Sequence, residues 1–210
     1  MYYSKRFITL FFLIICGLFL ISGVTSAEQD DDCDAQSKKL DVIFVLDESG
    51  SISTADYNRM KNVVTNLVNK LYDEDRIAIF TFDHRVKQRS GFVDKNSAAF
   101  IISGLSQSGG STALYNAIRD ANGEFITSSS SDVVKIMICL TDGEDNSSRS
   151  SASSAIQTAK ANNITIHMIG VGSVNTRVLT EIASGTGGSY FSAENFSQLG
   201  DIFGSGPACN

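Results

Sequence analysis

Short apolar runs alternate with longer amphipathic stretches along most of this chain. The runs are rich in Ile, Val and Phe and are typical of β-strands. They predict strands over 41–46, 76–82, 133–140 and 164–172, a short basic edge strand over 85–90, and a short last strand over 188–193.

The stretches between the strands predict helices. In 54–72, apolar residues such as Met60, Val64, Leu67 and Leu71 recur at three- and four-residue spacing, which marks one face of a helix. Helices are predicted over 54–72, 96–105, 113–126, 151–163, 175–184 and 195–203.

The order of these elements indicates the fold class. Strands that alternate with helices form βαβ units and a parallel sheet. Because the strands lack strict polar alternation, both faces of the sheet must be covered. We therefore predict an α/β, doubly wound, three-layer sandwich. Ligands of such sheets bind beyond the carboxyl ends of the strands.

The N-terminus has the pattern of a secretory signal. Lys5 and Arg6 precede the apolar run "FITLFFLIICGLFLISGV" and the small residues "TSA", so we expect cleavage after Ala27. The run is long enough for an uncleaved signal anchor, which remains the alternative. Either reading places residues 28–210 on the exoplasmic side. The C-terminus "FGSGPACN" lacks the apolar tail of a GPI signal.

Length and charge define the rest of the organisation. After the signal (1–27) we expect an acidic tail over 28–39, one domain over 40–204 and a short tail over 205–210. Loss of the signal removes two cations and no acid, which takes the net charge from −6 to −8. This charge excludes nonspecific binding to nucleic acid or anionic lipid.

Three cysteines remain after the signal. Cys139 lies in an apolar strand and is predicted to be a buried free thiol. Cys33 and Cys209 flank the folded region at the same predicted end of the molecule, and a secreted protein permits a disulfide between them.

Polar side chains from three segments, two after predicted strands and one at the start of a predicted helix, should meet at the carboxyl edge of the sheet. They are Asp47, Ser49 and Ser51 in "LDESGS", Thr112 in "GGST", and Asp142 in "LTDG". Two carboxylates and three hydroxyls suit a hard divalent cation, with Mg²⁺ first and Mn²⁺ or Ca²⁺ as alternatives.

Four segments resemble the von Willebrand factor type A (vWA) domain, over about residues 40–204. They are "VLDESGSI" (45–52), "GGSTALYNAI" (109–118), "CLTDGEDN" (139–146) and "IGVGSVNTRVLTEIASGTGGSYFSAENFSQL" (169–199). The resemblance implies a mostly parallel sheet with one short antiparallel edge strand. It also implies a metal-ion-dependent adhesion site (MIDAS) formed by the five residues named above.

In the family, the two serines contact the metal directly. Thr112 and Asp142 would exchange direct and water-bridged roles, and Asp47 would act through water. The open metal position would accept a carboxylate from an extracellular protein partner. The resemblance thus implies a secreted, non-enzymatic adhesion module. The alternative is a structural matrix component in which the metal only stabilises the fold.

Each site residue also has an ordinary interpretation. Asp47, Ser51 or Ser53 could cap the following helix, and Asp142 with Gly143 could form a simple turn. Glu48 and Glu144, between the ligand positions, are predicted to be solvated rim residues.

Other motifs change the picture little. His167 is predicted to be a satisfied core residue and His84 an exposed one, with neither at the carboxyl edge, and no Ser-His-Asp set is apparent. Sequons mark Asn146, Asn163 and Asn195 as possible glycosylation sites.

Overall fold

The structure, a computed structural model, describes residues 38–199. The predicted signal segment, the Cys33–Cys209 disulfide and the C-terminal tail lie outside the described residues. Within 38–199, no helix combines the length and apolar character needed to cross a bilayer.

Six strands form one sheet in the order β3-β2-β1-β4-β5-β6. They are β1 (Leu40–Asp47), β2 (Arg76–Phe82), β3 (Val86–Val93), β4 (Val134–Thr141), β5 (Ile164–Val171) and β6 (Tyr190–Ala193). Of these six strands, only the edge strand β3 runs antiparallel to its neighbour. The predicted fold class, with its antiparallel edge strand, is confirmed.

Helices cover both faces of the sheet. They are α1 (Thr54–Asn69), α2 (Lys95–Ser103), α3 (Leu114–Ser128), α4 (Ala152–Ala161) and α5 (Thr176–Gly185). Helices α1 and α2 pack on one face, and α3, α4 and α5 pack on the other. Residues 196–199 begin a further helix on the first face.

The central strand explains the lack of polar alternation. All eight residues of β1 are buried. Val42 and Phe44 face the core under α1 and α2, whereas Ile43 and Val45 face the core under α3, α4 and α5. Because successive side chains of a strand point to opposite faces, both sets must be apolar.

The predicted bounds of the strands and of helices α1 to α5 differ from the observed ones by at most three residues. The edge strand is longer than predicted and continues to Val93. Its last residues are held because Phe92 packs on one core and Val93 on the other. The pairing of β3 with β2 contains register shifts between Ile77 and Phe80, an irregularity that is common at sheet edges.

Candidate metal centre

Two of the three polar segments meet because their strands are neighbours. β1 pairs in parallel with β4, so the residues after Asp47 lie beside those after Thr141. The hydroxyl of Ser51 donates to Oδ1 of Asp142 at 2.7 Å. The hydroxyls of Ser49 and Ser51 are 3.0 Å apart.

Asp47 is the buried carboxylate at the bottom of this cluster. Its Oδ1 accepts a hydrogen bond from the Ser49 amide at 2.8 Å, and its Oδ2 accepts one from the Thr141 hydroxyl at 2.6 Å. Burial raises the pKa of Asp47 to about 6, against the opposing effect of these hydrogen bonds. A cation bound nearby would stabilise the negative charge of this carboxylate and so favour its charged form.

Thr112 joins the cluster from the loop before α3. A β-carbon placed on Gly143 would lie 3.4 Å from Oγ1 of Thr112 and 4.0 Å from Oγ of Ser51, so both hydroxyls face this glycine. The Thr112 amide donates to Oδ1 of Asn146 at 2.9 Å, and the Asn146 amide donates to the Thr112 carbonyl at 3.0 Å. Asn146 thus clamps Thr112 beside the Asp142 segment.

Backbone hydrogen bonds join the loop before Thr112 to the first loop. The Gly50 amide donates to the Gly110 carbonyl at 3.0 Å, and the Gly109 amide donates to the Glu48 carbonyl at 3.0 Å. Both Gly109 and Gly110 have positive φ, a conformation that favours glycine. The "GGST" segment is therefore needed for its backbone as well as for its threonine.

The donor set fits a divalent cation. It offers two carboxylates and three hydroxyls, and no cation among the described residues pairs with Asp47 or Asp142. Burial also raises the pKa of Asp142, and the nearby charge of Asp56 adds to this effect. Within residues 38–199, no group of three or more His, Cys, Asp or Glu side chains could hold a metal. Hydroxyls must therefore complete this site, and such an all-oxygen donor set can hold a divalent cation.

The alternative roles of these residues can now be compared with the contacts. Ser53 is the cap of α1, because its hydroxyl accepts the Asp56 amide at 3.1 Å. Asp47 and Ser51 do not cap this helix, and their side chains point into the cluster instead.

Glu48 is the clearest error of the sequence interpretation. It is fully buried rather than solvated. Its carboxylate accepts hydrogen bonds from Nζ of Lys87 at 2.9 Å, from Nη2 of Arg89 at 2.8 Å and from the Tyr57 hydroxyl at 3.1 Å. Burial alone would raise the pKa of Glu48, but Lys87, the Thr81 hydroxyl and Arg89 together outweigh it and lower the pKa. By contrast, Glu144 is exposed, as predicted.

A sequence signal for the Glu48 pairing existed. Lys87 and Arg89 stand two residues apart in an edge strand, so they share one face of it. A carboxylate partner packed against that face was to be expected, but only the fold identifies this partner as Glu48.

The histidines and Cys139 have mixed outcomes. His167 is buried and its Nδ1 accepts the Ser189 amide at 3.1 Å, which confirms a satisfied core residue. His84 is half exposed, as predicted, but it lies at the carboxyl edge beside Gly110, contrary to expectation. It does so because β2 ends only two residues before it. Cys139 is a buried free thiol, and burial raises its pKa.

The three sequon asparagines Asn146, Asn163 and Asn195 are exposed. Of these, only Asn146 is bonded to one of the five candidate ligands. Glycosylation at these positions stays a prediction.

Comparison with known proteins gives relatives named as an integrin subunit and as collagens. The chain is 29% identical over 209 residues to integrin alpha-X of Mus musculus, a match that covers 90% of this chain and 18% of the relative. It is 29% identical over 174 residues to the collagen alpha-5(VI) chain of Homo sapiens, covering 78% of this chain and 7% of the relative. The chain therefore spans less than a fifth of the length of these relatives.

Solved structures share the fold. Proximal thread matrix protein 1 from the mussel byssus aligns with a TM-score of 0.71 and 27% identity, covering 80% of this chain and 45% of that one. A structure of the same byssus protein with a zinc-occupied MIDAS motif aligns with a TM-score of 0.70 and 26% identity over 80% of this chain and 44% of that one.

The family assignment rests on the length of the match as well as on these relatives. The sequence profile of the von Willebrand factor type A domain matches residues 41–205. Apart from Leu40, the first residue of β1, this range contains the six strands of the sheet and the whole polar cluster at their carboxyl edge. The chain belongs to the von Willebrand factor type A domain family.

Proposed function

We propose that this chain is an extracellular, non-enzymatic protein-binding module that recognises a carboxylate of its partner through a divalent cation. The observation that carries the proposal is the convergence of five oxygen-bearing side chains from three segments at the carboxyl edge of the sheet. They are Asp47, Ser49, Ser51, Thr112 and Asp142.

The residues have distinct roles in this proposal. Ser49 and Ser51 would supply hydroxyl ligands to the cation, and Thr112 and Asp142 would complete the donor set. Asp47 adds charge from beneath and holds the first loop through the Ser49 amide. A bound Mg²⁺, or Mn²⁺ or Ca²⁺ in its place, would retain positive character and attract a hard anionic oxygen of the partner.

The predicted signal segment, the relatives and the net charge support a protein partner outside the cell. The predicted signal segment leads to secretion, and the relatives named as integrin and collagen chains agree with an extracellular role. The net charge of −6 disfavours nucleic acid. Glu144 is exposed on the same segment as Asp142, so it would favour a partner with basic residues around its acid.

A structural matrix role is the second candidate. The collagen relatives and the likeness to a byssus thread matrix protein favour it. In that case the metal would stabilise the fold and partners would bind elsewhere.

Binding with and without metal separates the two candidates. The full chain would be immobilised in Mg²⁺ or in EDTA and exposed to extracellular matrix extract, with D142A as the test variant. D132N is the control, because Asp132 is exposed and precedes β4 at the opposite edge of the sheet.

The adhesion proposal expects partners that are retained in Mg²⁺ by the wild type and D132N but lost in EDTA or with D142A. Loss of that binding must occur while circular dichroism shows D142A folded. Partners retained equally in EDTA and by D142A would instead support the matrix role.

A further inference from the structure

Glu48 lies between two candidate metal ligands, yet its side chain points away from them into the protein. Its two oxygens accept hydrogen bonds from Arg89 at 2.8 and 3.0 Å and from Lys87 at 2.9 Å, and the Ser108 oxygen lies 3.1 Å from one of them. The Tyr57 hydroxyl adds a further bond. A fully buried carboxylate with this many donors is held in one position.

The network is balanced in charge. Asp83 also accepts from Lys87 at 2.9 Å and from Ser108 at 2.6 Å, so two acids face two cations. Within the described residues, Lys87 pairs with both acids, whereas Arg89 pairs with Glu48 alone. Loss of the Glu48 charge would therefore leave Arg89, whose side chain is 31% exposed, without a carboxylate partner among the described residues.

The backbone of Glu48 also connects the site to its neighbours. Its amide donates to the Phe82 carbonyl at 2.7 Å, and its carbonyl accepts the Gly109 amide at 3.0 Å. The Gln107 side chain donates to the Ser49 carbonyl at 2.9 Å. The first loop and the loop that leads to Thr112 are thus joined at the residue that holds the charge network.

We infer that Glu48 is a positioning residue of the metal centre. It neutralises Arg89 and Lys87 so that their charge does not oppose a divalent cation, and it holds the first loop against residues 107–110. The inference rests on the proposed function, because it assigns a role toward the cation of that same site.

The consequence is that divalent affinity depends on a side chain that never contacts the ion. Outer partners of metal sites typically change metal affinity 10- to 100-fold when they are mutated. The replacement E48Q keeps the shape and one acceptor oxygen but removes the charge. We expect it to weaken Mg²⁺ binding about tenfold.

The experiment is isothermal titration of the full chain with MgCl₂, repeated with MnCl₂. The variants are E48Q, the double variants E48Q/R89M and E48Q/R89K, and D132N as a charge-matched control at the opposite sheet edge. R89M removes the uncompensated cation and R89K retains it. Urea unfolding of each metal-free variant measures any loss of stability separately.

The inference expects D132N to match the wild type, E48Q to bind about tenfold more weakly, and E48Q/R89M to recover to within about threefold. E48Q/R89K should not recover. Wild-type affinity in a folded E48Q would overturn the inference, and so would equal affinities of the two double variants. A merely structural role would lower stability without this dependence on the charge at position 89.

A second readout separates this inference from the proposed function. If the wild type binds neither Mg²⁺ nor Mn²⁺, the proposed function fails. The positioning role is then decided by hydrogen exchange without metal. Faster exchange of the Gly109 and Gly50 amides in E48Q would support the inference that Glu48 holds the first loop against residues 107–110. Unchanged exchange would overturn it.

Discussion

The hydroxyl of Thr141 donates a 2.6 Å hydrogen bond to Oδ2 of Asp47, across the boundary between β4 and β1. Both residues are fully buried. The bond directs the Asp47 carboxylate so that its other oxygen, Oδ1, receives the Ser49 amide. Thr141, which is outside the predicted ligand set, therefore helps to orient the Asp47 carboxylate of the candidate metal centre.

Replacement of Thr141 by Val should destabilise the protein while keeping the side-chain volume. The Asp47 carboxylate would lose a donor in a buried position, which costs about 1–3 kcal/mol of unfolding free energy. Urea unfolding without metal measures this loss. T141S keeps the hydroxyl and is the control. Equal stabilities of T141V and T141S would contradict the prediction.

Mg²⁺ should stabilise the wild type against unfolding, because it binds the folded site. At 100 times its dissociation constant the gain is about 2.7 kcal/mol. D142N should lose this gain, and D132N should keep it. Without metal, D142N should be at least as stable as the wild type, since burial raises the pKa of Asp142 and disfavours its charge. Thermal unfolding in Mg²⁺ and in EDTA tests these statements, and a metal-dependent shift in D142N would contradict them.

Asn146 should affect the site through its acceptor oxygen, which receives the Thr112 amide. N146A should weaken Mg²⁺ binding severalfold, whereas N146D keeps an acceptor and should bind nearly as well as the wild type. Both variants remove the sequon.

The sequon at Asn146 predicts a glycan at the rim of the candidate metal centre. Glycopeptide mass spectrometry of the secreted chain tests this prediction, and an unmodified Asn146 would contradict it.

His167 should make a destabilising contribution to the fold in mild acid, opposite in sign to that of Asp47, whose raised pKa favours the folded state as the pH falls. Burial lowers the folded pKa of His167 to about 4, from an ordinary value of 6.5. Between these values the unfolded chain binds a proton that the folded chain does not, so unfolding becomes easier as the pH falls. The loss approaches about 3 kcal/mol by pH 4.

The variant H167N isolates this contribution. Its amide oxygen can accept the Ser189 amide in place of the ring nitrogen. Urea unfolding from pH 7 to pH 4 should show a smaller loss in H167N than in the wild type. Parallel pH curves for the two proteins would contradict the assignment.

Gly188 should not tolerate a side chain. A β-carbon there would lie 1.9 Å from the carbonyl oxygen of Ile166, a backbone atom that cannot easily move. G188A should therefore destabilise by several kcal/mol, on the order of the most damaging single substitutions. G123A is the control, because its β-carbon would meet no atom within 4 Å beyond its chain neighbours and the backbone of its own helix, and alanine favours helix α3. Measured unfolding free energies should fall for G188A and hold or rise for G123A.

Much of the fold follows from local patterns. The apolar face of α1 and the doubly buried β1 are visible in the order of residues, because burial on one or two faces dictates where apolar side chains stand. The end of β3 was harder to predict, since Gly91 interrupts a polar run and only contact with both cores retains Phe92 and Val93.

The candidate site divides in a similar way. Asp47, Ser49, Ser51, Thr112 and Asp142 were predictable, because each follows or precedes a strong element and parallel strands bring their carboxyl ends together. Glu48 and Asn146 were not understood, because burial and partner choice depend on residues 34 to 41 positions away.

The sequence by itself determined that this chain forms a doubly wound sheet and which oxygen-bearing residues stand at its edge. Hydrophobic periodicity and the spacing of Asp47, Ser49 and Ser51 are local features, so they can be recognised from the order of residues alone. Only the tertiary structure decided that Glu48 turns inward to Lys87 and Arg89, and that Thr141 and Asn146 orient the neighbouring side chains. These contacts join separate elements, and their energy depends on burial that exists only after the layers have packed.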